Sequence, residues 1–371
     1  MRSGILGWMT AAVLLPGVAG AIGGPVDGAP AAAGVYDLRL VPLGHEVFLL
    51  QRPDPFRQPV EPNALFIVND ADVVVVDSGG SALAAENAIR QIRSITAKPV
   101  SVVVNTHWHG DHNLGNAVYR REFPGVRIAA HRNTRRDISG KPMDYVKRYP
   151  KMLGEYGAEL EAELASDKLP EDRKQRLRAG LVDIKVMAAE FGRAEVSPPD
   201  WVFDGELTLL RGARTIQLIH LGKGNTEGDV VVWLPSERLL ASGDLVVAPI
   251  PYGFGSFPEQ WLATLDRLKA FDFELLVPGH GEVMRDRAHI EAVQAMLRGV
   301  RAKAKAAVAA GTDLAAFKAA LDFGPFARGL VGDDPRRQGL FRAWWTDPIA
   351  RSAWLEARGE PILQGASDET G

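Results

Sequence analysis

The chain has 371 residues, 46% of them hydrophobic and 24% charged, with a formal net charge of -3. That is globular composition with enough length for a sizeable core, and the slight acidity offers no electrostatic footprint for nucleic acid. There is no cysteine, so disulfides, Fe–S clusters and thiol nucleophiles are excluded, and any metal must be held by histidine and carboxylate.

The first residues read as a signal peptide over 1–21. Arg2 supplies a short basic start, Ile5 to Val18 an apolar stretch, and Ala19-Gly20-Ala21 an A-x-A cleavage signature. The apolar run is shorter than the roughly 20 residues of a spanning helix, so no stable membrane span is expected after cleavage. The expected location is periplasmic or secreted. A Gly/Ala/Pro-rich linker, 22–34, leads into a domain expected over 35–360.

Within that domain, Val35 to Leu50 alternates as one or two strands. Ala64–Val68 and Val73–Val76 are strands joined by a turn at Asn69-Asp70-Ala71-Asp72. Ser81 has the character of an N-cap for a helix to about Ile95. Pro99–Val104 is a β-branched buried strand, followed by a short helix at Asn113–Arg121 and a strand at Val126–Ala130. Between 132 and 195 strand signals vanish. Tyr145, Tyr149, Leu153, Tyr156, Leu160 and Leu164 recur at helical spacing, and Leu177, Leu181, Ile184 and Phe191 form a second series. This helical insertion is either a pocket wall or lid, or a decoration packed on its own seam. Strands resume at 201–203, 207–210, 215–219, 229–234 and 239–241. A helix at 257–271 and a short strand at 275–277 follow, and a C-terminal helical extension is expected over 285–360. The polar tail after Pro361 is expected to fray.

The densest chemistry is His107-Trp108-His109-Gly110-Asp111-His112, directly after the strand ending at Val104. Three imidazoles and a carboxylate in six positions are costly to assemble unless a cation binds them, and they are the donors that zinc and its first-row neighbours prefer. His107 and His109, two apart, face one side of an extended segment, and Gly110 lets the chain re-aim Asp111 and His112. Three further candidates stand at or just past predicted strand ends: His220, Asp244 and His280. Strand ends along one sheet edge converge, which is where open sheets place ligands. No G-x-S-x-G elbow is present.

The set His-x-His-x-Asp-His, a histidine followed by Gly224-Asn225-Thr226, then Ser242-Gly243-Asp244 and Pro278-Gly279-His280-Gly281, resembles the metallo-β-lactamase fold superfamily of dinuclear metallohydrolases. The resemblance covers roughly 35–131 and 200–285. It implies an α/β fold, a four-layer αβ/βα sandwich with the site at one edge. It also implies two zinc ions, or other first-row divalent metals. Carried over by position, His107, His109 and His220 hold one ion; Asp111, His112 and His280 hold the other; Asp244 bridges them. The implied activity is cleavage of a carbonyl substrate (ester, lactone, thioester or amide, β-lactam included) by metal-bound hydroxide, with Asp111 as the catalytic residue that orients the nucleophile. Asp244 departs from the thiolate-bearing β-lactamases, which have Cys there, and Val247 from homoserine lactonases, which carry Tyr three places after the bridging Asp. The alternatives are a mono-iron sulfur oxygenase or redox member of the same fold, and a phosphodiesterase.

The expected partner is a small-molecule substrate. Tyr252, Phe254, Asn225 and Lys223 are the candidate substrate contacts. Asp77 is expected to form a turn or support a ligand; His131 ends a strand near the first half of the site, with pocket duty the lesser of its two readings. His45 and His289 are read as structural, and Trp108 as packing beneath the loop.

Overall fold

The computed structural model describes residues 34–166 and 169–365. The signal-peptide residues, and all of the linker except Gly34, lie outside the described residues. Among the described residues no helix is long and apolar enough to cross a membrane.

Among the described residues twelve strands form two sheets. The first sheet contains β1 (Arg39–Gly44), β2 (Val47–Gln51), β3 (Ala64–Val68), β4 (Val73–Val76), β5 (Val100–Val104), β6 (Arg127–His131) and β7 (Trp201–Phe203), in that spatial order. The pairs from β1 to β4 are antiparallel; those from β4 to β7 are parallel. The second sheet contains β8 (Glu206–Arg211), β9 (Arg214–Ile219), β10 (Val231–Leu234), β11 (Leu239–Ala241) and β12 (Leu275–Val277), ordered β12-β11-β10-β9-β8. Only β11 and β12 pair in parallel.

The period-two alternation of strands explains the layers. On β4, Val74 and Val76 pack with Leu218, Val232 and Leu239 of the other sheet, whereas Val73 and Val75 pack outward against Ile89 and Ile92. Those two isoleucines belong to the helix Ala82–Ile95, whose first turn is capped by Ser81 accepting from the Ala84 N–H at 3.0 Å. Such a cap stabilises by about 1 kcal/mol. The far face of the second sheet, with Val231, Leu240 and Leu276, is covered by the helices Pro258–Lys269 and Ala288–Ala309 and by the C-terminal helices. The result is helices, sheet, sheet, helices.

The insertion consists of the helices Arg132–Ile138, Tyr145–Leu164 and Glu171–Gly192, with a short 3-10 turn at Lys141–Asp144. It is the connection between β6 and β7, which being parallel require a long crossover. It does not pack only on its own seam: Tyr149, Leu153, Ile184 and Phe191 share one apolar cluster with Trp108 and Leu114 of the histidine-rich loop. Of the segment after Pro361, residues 362–365 are described and the rest lies outside the described residues. Gln364 accepts a hydrogen bond from Trp108 Nε1 at 2.6 Å and donates to the Gly255 carbonyl at 2.7 Å.

Candidate metal centre

The strands β4, β5, β11 and β12 run in one sense within their sheets, so Asp77, the hexapeptide, Asp244 and His280 all emerge near one edge. Six side chains meet there in two groups of three, His107–His109–Asp244 and Asp111–His112–His280; within each group the ligand atoms lie within 4.8 Å of one another.

Asp77 organises the approach. It follows β4 with φ +62, an unusual left-handed conformation for a residue with a side chain, held by its contacts. One carboxylate oxygen accepts from the Thr106 N–H at 2.8 Å, and the other from Thr106 Oγ1 at 2.8 Å and from His112 Nδ1 at 2.7 Å. Thr106 Oγ1 has donated its proton to Asp77 and so accepts from His107 Nδ1 at 3.0 Å. His280 Nδ1 donates to the Glu61 carbonyl at 3.0 Å. Close approach completes the site: a Cβ at Gly279 would lie 2.0 Å from Asp244 Oδ1, so only glycine lets the chain turn into His280 beside that carboxylate.

These bonds place the Nδ1 protons of His107, His112 and His280 on oxygens and leave each Nε2 with a lone pair facing the site. His112 Nε2 and His280 Nε2 then stand 3.2 Å apart. Asp111 Oδ2 is 3.1 Å from His280 Nε2 and 3.5 Å from His112 Nε2. Asp244 is 3.3 Å from His112 Nε2 and 3.5 Å from His107 Nε2, and 4.0 Å from His109 Nδ1. All six are buried or nearly so. His107 Nε2 and both oxygens of Asp244 have no hydrogen-bond partner. Lone pairs converging in a dry site need a cation or protons between them, and this donor set fits divalent metal.

Electrostatics without metal shows the same demand. Burial raises the Asp111 carboxyl, but His112 and His280 outweigh it and hold it at about 2. Asp244 is likewise held well below the carboxylate range by His112, His280 and His107 against the cost of burial. Burial lowers His112, yet Asp244, Asp111 and Asp77 drive it well above its ordinary value. The field of these carboxylates favours positive charge at the site.

The seventh candidate, His220, belongs to neither group. It follows β9 and stacks on His131, which ends β6, with ring centroids 4.0 Å apart and an interplanar angle of 20°. Its Nδ1 is bonded to the Asp229 carbonyl at 2.8 Å, and the charges acting on it are Arg267 and Lys223.

Of the four candidate substrate contacts, Tyr252 and Phe254 line the pocket over the two groups. Asn225 and Lys223 do not. Asn225 is fully buried and donates from Nδ2 to the Tyr252 carbonyl at 2.7 Å. Lys223 pairs with Glu227 and lies over the Phe257 ring, 4.8 Å from its centroid. His45 is exposed in the β1–β2 turn, and His289 Nε2 bonds the Val247 carbonyl at 2.8 Å. Trp108 is buried under the insertion and also lines the pocket.

Sequence reasoning missed Glu61, Tyr145 and Trp344. Glu61 Oε2 accepts from the Gly80 N–H at 3.2 Å, and burial pushes its carboxyl up to about 8 against the pull of Arg52. Tyr145 was visible as part of the helical period, but not which way it points. Nothing in the local sequence of Glu61 or Trp344 marks them.

A family model described as the metallo-beta-lactamase superfamily matches residues 57–280. The chain is 26% identical over 237 residues to a linear primary-alkylsulfatase from Pseudomonas sp., covering 61% of this chain and 42% of that protein. It is 36% identical over 78 residues to the metallo-beta-lactamase type 2 of Bacillus cereus, covering 19% of this chain and 30% of that protein. The chain therefore spans less than half the length of either relative. Among solved structures, a stereoselective inverting sec-alkylsulfatase from Pseudomonas sp. is similar with a TM-score of 0.60 at 15% identity, over 86% of this chain and 50% of that one. At that identity the likeness shows the fold.

Proposed function

Since the chain belongs to the metallo-β-lactamase superfamily, we propose that it is a dinuclear zinc hydrolase that cleaves a carbonyl substrate: an ester, lactone, thioester or amide. The observation that carries this reading is the convergence of imidazole nitrogens on two carboxylates, with His112 Nε2 and His280 Nε2 at 3.2 Å and Asp111 Oδ2 within 3.5 Å of both. The His107–His109–Asp244 group would hold one ion and the Asp111–His112–His280 group the other. A bound pair of divalent ions supplies an activated water and a Lewis acid for the scissile bond.

The chain's own residues do the rest. Asp77 and the Glu61 carbonyl hold His112 and His280 in one tautomer and one orientation, and such outer partners tune metal affinity. Asp111 lies on the pocket floor and stays ionised, so it accepts a hydrogen bond from the attacking water and aims it. The apolar walls keep bulk water from competing with the substrate.

A second reading, sulfate-ester hydrolysis, rests on the alkylsulfatase relative. The test is metal content of the purified chain together with turnover of a panel: an aryl ester, a lactone, a thioester, a cephalosporin and an alkyl sulfate. About two zinc ions per chain with cleavage of carbonyl substrates is the expected result. Turnover of the alkyl sulfate alone moves the reading to sulfatase. One iron per chain with a silent panel overturns hydrolysis.

The proposal extends to location. Arg2, the apolar Ile5–Val18 stretch and Ala19-Gly20-Ala21 support export. Fractionation with N-terminal sequencing is expected to find a chain starting near Ile22 outside the cytoplasm.

A further inference from the structure

A pocket open to solvent at its mouth lies above the two groups. Its walls are Trp108, Tyr145, Tyr149, Tyr252, Phe254 and Trp344. They come from four parts of the chain: the histidine-rich loop, the β6–β7 crossover, the loop after Asp244, and the C-terminal helices. Trp344 sits on a five-residue π-helical turn, Arg342–Thr346, and its carbonyl accepts the Gly253 N–H at 2.8 Å, which locks the C-terminal wall to the loop carrying Tyr252 and Phe254. The Tyr252 ring lies 5.0 Å from that of His280 and 5.4 Å from that of Trp344, so the wall is continuous down to the metal-binding groups.

Two further facts define what this pocket accepts. No lysine or arginine is among its lining residues, and the charges on its floor are the carboxylates Asp111 and Asp244. Of the cations beside lining residues in sequence, Arg57 pairs with Asp183 at 3.1 Å and Arg342 with Asp347 at 3.2 Å, and Lys147 and Arg148 are exposed to solvent. A substrate with a second anion, remote from the cleaved bond, would leave that charge against aromatic carbon with nothing to pair it. The second fact is Tyr145 Oη. It is buried, its oxygen faces the Gly110 N–H, and a Cβ at Gly110 would lie 1.9 Å from it, while its own proton has no acceptor. A buried hydroxyl proton without an acceptor beside reacting groups is a donor awaiting one.

We propose that the pocket selects substrates whose remote portion is an uncharged alkyl chain or aromatic ring packed between Tyr149 and Trp344, and that Tyr145 Oη donates a hydrogen bond to an oxygen of the bound substrate. This rests on the metallohydrolase reading above. Burial holds the Tyr145 hydroxyl well above its ordinary value, so it is a proton-bearing donor at neutral pH.

The test is calorimetric binding of hydroxamates to the zinc-loaded full chain, which measures affinity without turnover. Acetohydroxamate reports the metal site alone. Octanohydroxamate and phenylacetohydroxamate add an apolar tail, and succinic monohydroxamate adds an anionic one. The apolar tails are expected to bind at least about tenfold tighter than acetohydroxamate, and the anionic tail no tighter. Trp344→Ala and Tyr149→Ala are expected to shrink the octano-to-aceto ratio toward one. Tyr145→Phe, which removes only the hydroxyl, is expected to weaken every hydroxamate by about fivefold to tenfold while zinc content stays the same. Binding of acetohydroxamate with no gain from apolar tails, or strongest binding of the anionic tail, overturns the proposal alone. Unaltered affinity in Tyr145→Phe overturns the assignment of the donor. If no hydroxamate binds the zinc-loaded chain, the metallohydrolase reading fails and takes the proposal with it.

Discussion

Two histidine clusters stand at the same edge of the sandwich, and they are opposites. His107, His109, His112 and His280 converge on Asp111 and Asp244 with ring nitrogens facing the carboxylates or one another. His131 and His220 lie flat against each other, one accepting from the Asn133 N–H at 3.2 Å and the other bonded to a backbone carbonyl. Carboxylates make the difference. In the first cluster acids outweigh the cost of burial and draw positive charge in. In the second, burial and mutual repulsion push His131 down to about 4, and the pair is neutral. Imidazole density alone does not define a metal site; the sign of the surrounding field does.

The comparison is broken most severely at Asp244, which alone reaches His107, His109, His112 and His280. Asp244→Ala is expected to lose at least one metal equivalent by mass spectrometry or atomic absorption, and to cut kcat/KM on the order of 1000-fold, since activation of the water depends on the ions. A smaller loss is expected from Asp77→Asn, which cannot accept from both Thr106 and His112 Nδ1 as a carboxylate does. Metal affinity, read by competition with a chelator, should fall about 10–100-fold. His220→Ala sharpens the contrast: both metal equivalents should remain, with kcat/KM within a few-fold of the parent. Loss of a metal equivalent in this variant would place His220 back in the centre.

The smallest effect concerns pH. His131 is held at about 4 in the folded chain and titrates near 6.5 when unfolded. Between these values the unfolded chain binds the proton and the folded chain does not. The contribution of His131 is thus complete above about pH 6.5 and is lost as pH falls toward 4. His131→Gln should narrow the drop in melting temperature between pH 7 and pH 5, measured on the metal-loaded chain so that the metal centre does not dominate.

What was legible in the sequence follows the same division. Local patterns located the strands, the Ser81 cap and the residues at strand ends, because periodicity and turn chemistry are short-range. Strand order is not short-range. Nothing in Ile219-His220 says where β9 lies relative to β11 and β12, so the local sequence does not reveal that His220 stacks on His131 and stands outside the two groups of three. The pocket walls were hidden for a related reason. Tyr145 and Tyr149 read as helix core, and only the packing of the β6–β7 crossover on Trp108 turns that face toward the site. Asp77 looked like turn chemistry, and it is; its positive φ is also what lets one carboxylate serve Thr106 and His112 together.

Gln364 ties the far end of the described chain to Trp108 across 256 residues of sequence, with one amide bridging an indole and the Gly255 carbonyl. Trp108 sits between His107 and His109, so whatever is done to that end, whether trimming by a protease or fusing a purification tag, is done to the scaffold of the ligand loop. The indole is also an optical handle: loss of its hydrogen bond to Gln364 would shift its emission, making detachment of the tail visible in a fluorimeter before any change in catalysis is measured.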